Sequence, residues 1–131
     1  MKKRLIALVF AVVFLLSTTS QVFAIDDYFL ELTKQDMEVS TPLLEGDEID
    51  YLYIEVYDSH YEVFYELRDQ DGNYLVGGML HPFENPVLEI EHGNEPPWWP
   101  TFPSSVTGIS LTLICNGPWG DCEGTATIET F

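Results

Sequence analysis

The chain has 131 residues, with 22 acidic side chains against five basic ones and a formal charge of −17. Lys and Arg are too few to neutralise phosphates, so nucleic acid and anionic lipid are excluded as partners, and nucleotide substrates lack both a glycine-rich phosphate loop and a cationic clamp. The charged partners left are cations: calcium, a basic protein or a cationic peptide.

Residues 1–24 read as a cleaved secretory signal peptide. Lys2, Lys3 and Arg4 precede the apolar run Leu5 to Leu16, and Val22-Phe23-Ala24 supplies the small-residue cleavage pattern. The run is too short for a spanning helix, which needs roughly 20 apolar residues. The compact basic start is of the bacterial kind. Cleavage takes three of the five basic residues and none of the 22 acidic ones, so the charge of residues 25–131 becomes −20. The expected product is one secreted domain over residues 25–131, with no membrane contact after cleavage.

The remaining chain alternates with a period of two, the signature of half-buried strands. Strands are predicted first at Tyr28–Thr33 and Met37–Ser40. In Asp50–Asp58, Leu52, Ile54 and Val56 share one face, with Tyr51, Tyr53, Glu55 and Tyr57 on the other. Tyr61–Arg68 sets Tyr61, Val63, Tyr65 and Leu67 against Glu62, Phe64, Glu66 and Arg68. Asp71-Gly72 is a hairpin signal leading into a strand at Tyr74–Gly77. Further strands follow at Val87–Glu91, Gly108–Cys115 and Thr125–Thr130. No amphipathic helix is predicted after residue 24. Seven or eight short strands punctuated by Gly and Pro predict an all-β fold, a small antiparallel β-sandwich, with a small β-barrel as the alternative. Gly46-Asp47-Glu48-Ile49 before a Tyr-rich strand, followed by Leu67-Arg68-Asp69-Gln70-Asp71-Gly72, resembles a pattern found in many extracellular β-sandwich modules. It names no family and carries over no functional residue.

Residues 94–105 (NEPPWWPTFPSS) hold four of the eight prolines and two of the three tryptophans. Proline cannot donate to a ladder, so this is a loop. Cys115 and Cys122 are the only cysteines and predict a structural disulfide, read here as closing a hairpin between the last two strands.

Chemical motifs are sparse. Counted from Asp69, an EF-hand would need Gly at position six and Glu at twelve; Gly72 stands at four and Leu80 at twelve. Asp69, Asp71 and Asn73 are the candidates for a looser calcium site, against an ordinary hairpin turn. His60, His81 and His92 show no compact metal spacing, and there is no GxSxG nucleophile elbow. No cofactor is expected, calcium aside, and no catalytic residue is assigned. The aromatic side chains are the stronger signal. Tyr51, Tyr53 and Tyr57 occupy a face where a solvated strand would carry Lys or Thr, and Trp98, Trp99 and Phe102 sit in a proline-stiffened loop. Rigid exposed rings bury much area at little entropic cost. The reading is a non-catalytic binding protein that uses these six residues against a basic or neutral protein or glycan. A calcium-stabilised extracellular structural or coat component is the alternative, and a small glycan-active hydrolase the third reading.

Overall fold

The computed structural model describes residues 26–131, so the signal-peptide reading of residues 1–24 lies outside the described residues. Nine strands are present among them: β1 (Asp27–Leu32), β2 (Glu38–Ser40), β3 (Leu44–Glu45), β4 (Ile49–Val56), β5 (Val63–Asp69), β6 (Tyr74–Leu80), β7 (Val87–Glu91), β8 (Gly108–Cys115) and β9 (Gly124–Thr130). The sequence pattern anticipates eight of them and misses β3. The reason is local. β2 and β3 both pair with β8, and Pro42 between them splits what would otherwise be one edge strand. Thr41 repairs the gap: its N–H donates to the Leu111 carbonyl at 2.9 Å, and its Oγ1 accepts the Leu111 N–H at 3.0 Å.

All pairings are antiparallel and form two sheets, β1-β9-β4-β7 and β2-β8-β5-β6, with β3 also on β8. No ladder joins the sheets, so the arrangement is an open sandwich rather than a closed barrel. The ladders nest about a single turn at residues 69–73. β5 pairs with β6, β4 with β7, β3 and β2 with β8, and β1 with β9. The chain is thus one long hairpin rolled up on itself, the strand order of a jelly roll. Rolling adds the contacts β4·β9 and β5·β8, which knit each half into its sheet.

The two-fold alternation does its work at the sheet interface. Leu32, Leu52, Ile54, Ile90 and Ile128 from one sheet, and Leu67, Ile109, Leu111 and Leu113 from the other, are fully buried in a single cluster. Each contributes roughly 1.5–3 kcal/mol relative to exposure, which makes the stacking of the sheets the main stabilising term.

Nesting about one turn also corrects the hairpin reading of the cysteines. β8 and β9 lie in different sheets, so residues 116–123 cross from one layer to the other. Gly120 (φ 89°) and Asp121 (φ 71°) make the turn in left-handed conformation. The Cys115–Cys122 disulfide is formed, with a Cα–Cα distance of 5.6 Å, and ties the crossing segment to the end of β8.

Candidate functional site

The register of the first sheet fixes the composition of its outer face. Asp27, Glu129, Tyr51 and Glu91 form one row across β1, β9, β4 and β7. Phe29, Thr127, Tyr53 and Glu89 form the next, and Glu31, Thr125, Glu55 and Val87 the third. These twelve side chains point away from the core, as the alternating burial of β1, β4 and β9 shows. With strands about 4.8 Å apart and same-face residues about 7 Å apart along each strand, the grid measures about 14 Å on a side. It holds six carboxylates, three aromatic rings and no cation.

Both basic residues of the described chain are engaged elsewhere. Lys34 Nζ lies 2.9 Å from Asp58 and 4.0 Å from Glu123. Arg68 contacts Glu66 at 3.1 Å and donates to the Gly72 carbonyl at 2.8 Å. No lysine or arginine of the described chain therefore offsets the carboxylates of the grid. Asp27 and Glu129 are direct cross-strand neighbours, an arrangement that destabilises a sheet.

Tyr51 and Tyr53 are half-buried on this face. The Tyr51 hydroxyl donates to Glu89 at 3.2 Å and that of Tyr53 to Glu55 at 3.4 Å. Burial, followed by these neighbouring carboxylates, raises both phenol pKa values above the ordinary tyrosine value. They remain neutral donors in the physiological range. Phe29 is 61% exposed at the edge of the same face.

The Trp-containing connection between β7 and β8 lies over one end of the sandwich, next to the Tyr51 row. Trp98 is 56% exposed, whereas Trp99 and Phe102 pack against the core. Trp99 meets Trp98 edge-on at 5.7 Å between ring centroids and Phe102 at 6.1 Å. Trp98 is thus carried on an anchored base. Gln70, from the β5–β6 turn, fastens the far end of the connection by donating to the Ser105 carbonyl and accepting the Thr107 and Gly108 N–H groups. A cleft of about 260 Å³ beside Trp99 is lined by Glu48, His92, Glu95 and Phe102. A larger hollow of about 420 Å³ at this end is lined by Asp26, Glu45, Asp47, Val106, Thr107 and Phe131. It is open to solvent.

Tyr57 lies apart from the Trp cluster but continues the outer face of β4. It follows that strand at the opposite end of the sandwich, is 37% exposed, and its N–H donates to the Glu123 carbonyl at the disulfide crossing. Burial first, then Glu123 and the grid acids Glu31 and Glu55, raise its pKa. That end of the sandwich also presents Phe83 and Trp119, which at 81% and 89% are the most exposed large apolar residues among the described ones. Sequence reasoning missed both, since each stands alone in a polar turn with no periodicity to mark its orientation. The only signal is an apolar ring between turn formers, Pro82-Phe83 and Pro118-Trp119-Gly120.

The proposed calcium residues form a turn staple. Asp69 is buried, and its carboxylate accepts hydrogen bonds from the Asp71 N–H, the Asn73 N–H and Asn73 Nδ2 at 2.8–3.0 Å. Its oxygens thus already have protein donors where a cation would need them free. Each histidine faces acid: His60 lies 2.7 Å from Asp121, His81 3.6 Å from Glu62, and His92 3.6 and 3.5 Å from Glu48 and Glu95. Among the described residues no group of three or more His, Cys, Asp or Glu side chains is arranged to hold a metal ion. No helix among them is long and apolar enough to cross a membrane.

No protein-family model matches the chain, and neither a curated protein nor a solved structure resembles it significantly. The fold class is therefore defined by the strand order and the candidate site by the composition of its surface.

Proposed function

We propose that this protein is a secreted, strongly acidic, non-catalytic binding protein that recognises a basic or neutral macromolecular partner through surface aromatics. The observation that carries this reading is the outer face of the first sheet. There Tyr51, Tyr53 and Phe29 are interleaved with six carboxylates on a paired backbone, while both cations of the described chain are engaged elsewhere. Strand propensity favours rings on a sheet, but solubility alone does not call for them among six acids, and a typical surface intersperses charges of both signs. Secretion is supported by the disulfide, which suits an oxidising compartment, and by the export-type sequence of residues 1–24.

The test is retention of residues 25–131 on an immobilised basic protein at low ionic strength, with an acidic protein as control bait. Selective retention that is lost as salt shortens the Debye length toward 3 Å at 1 M is expected. Equal retention on both baits, or retention on neither, overturns a charge-complementary partner.

A further inference from the structure

We infer that the outer face of the first sheet docks an extended, arginine-bearing segment of a basic protein, each guanidinium lying over one of the Tyr51 and Tyr53 rings. The inference rests on the binding role proposed above and names its location and chemistry.

Three observations converge on that occupant. The first is charge: a patch about 14 Å across contains Asp27, Glu31, Glu55, Glu89, Glu91 and Glu129 with no cation among them. The second is the unrelieved cross-strand pair Asp27–Glu129. Like charges directly opposite disfavour a sheet, and a cation settling between the two acids would offset that cost.

The third distinguishes arginine from lysine. Tyr51 stands between Glu129 and Glu91 in its row, and Tyr53 has Glu89 as its β7 neighbour. Each ring is thus an apolar platform with carboxylate at its rim. A guanidinium is planar and weakly hydrated, so it can stack on the ring while its edge donates to the carboxylates. An ammonium is a compact, strongly hydrated charge that uses the acids but gains less from the ring. Tyr51 and Tyr53 are also two residues apart on β4, a same-face spacing of about 7 Å. Alternate side chains of an extended peptide have that same spacing, so arginines at alternate positions would meet the two rings in register.

The experiment is calorimetric titration of residues 25–131 at low salt with two eight-residue peptides of equal charge, one alternating Arg with Thr and the other Lys with Thr. The arginine peptide is expected to bind about fivefold to tenfold more tightly, the size of two exposed cation–π contacts. Tyr51→Ala combined with Tyr53→Ala should remove that margin, bringing the affinities for the two peptides together. Tyr51→Phe with Tyr53→Phe keeps the rings and should preserve it. Thermal melts of both double variants establish that each is folded. Equal affinity for the two peptides in the parent protein overturns the guanidinium inference while leaving a cationic partner standing, as does a margin that survives in the alanine variant. Binding of neither peptide overturns the inference together with the basic-partner reading it rests on.

Discussion

Cys115 and Cys122 are seven residues apart in sequence; the first ends β8 in one sheet and the second lies in the crossing that leads to β9 in the other. Their bond therefore constrains the crossing between sheets. Asp121 N–H donates to the Lys34 carbonyl and His60 N–H to the Asp121 carbonyl, so the same crossing also ties down two neighbouring loops. Replacing both cysteines by serine should cost about 2–3 kcal/mol on the chain-entropy account of so short a loop. For a domain of this size that corresponds to a fall of roughly 10–20 °C in Tm. Calorimetry of the double variant checks it; an unchanged Tm would mean that the crossing is held without the bond.

Asp69 predicts a pH dependence. Burial pushes its pKa up, but the hydrogen bonds from the Asn73 side chain and from the Asn73, Asp71 and Gly72 N–H groups outweigh it and hold the carboxyl below the ordinary value. The folded-state pKa is depressed, so the stabilisation is complete above the unfolded value near pH 4. It is lost as pH falls through the lower folded value. Asp69→Asn should therefore lower Tm at pH 7, and the difference should shrink as pH falls below the ordinary carboxylate range. A Tm difference independent of pH would contradict the role of the ionised carboxylate.

Two glycines with similar backbone angles should respond differently to alanine. Gly72 (φ 81°) has nothing within 4 Å of where a Cβ would stand, while at Gly120 (φ 89°) a Cβ would lie 2.6 Å from the Lys34 carbonyl oxygen. Gly72→Ala should cost only the left-handed penalty of about 1–2 kcal/mol. Gly120→Ala adds a backbone clash at the sheet crossing and should cost clearly more. Denaturant unfolding of the two variants side by side provides the comparison.

Much of this fold is legible in the sequence because two-fold alternation is a local property. Leu52, Ile54 and Val56 against Tyr51, Tyr53 and Glu55 announce β4 and both of its faces. Partnership is not local. The turn formers between Cys115 and Cys122 look like a hairpin, yet the strands they join go to different sheets because each follows its own partner in the nested pairing. Leu44–Glu45 is too short to display any period. For the candidate site, the Tyr51 and Tyr53 face could be anticipated from alternation together with Glu55, but the five other acids that surround it come from β1, β7 and β9. Only the register brings them together. Trp99 and Phe102 read like Trp98 in sequence, and tertiary packing alone separates the two anchors from the exposed ring.

That separation is itself testable. In proteins retaining a single tryptophan, acrylamide quenching should rank Trp119 above Trp98 and Trp98 above Trp99, following their exposure. Trp99→Ala should destabilise by about 2 kcal/mol through lost packing, while Trp98→Ala should stay within about 1 kcal/mol. Equal quenching of Trp98 and Trp99 would contradict the anchored-base arrangement.

The binding account is tested most directly by mapping an arginine-bearing peptide onto the domain by backbone NMR titration. It predicts that the perturbed amides cluster on β1, β9, β4 and β7 around Phe29, Thr127, Tyr53 and Glu89, with the Trp119 crossing and the outer face of β5 and β6 unchanged. Perturbations centred on the Trp119 crossing, or scattered over the whole acidic surface without a focus, would contradict it.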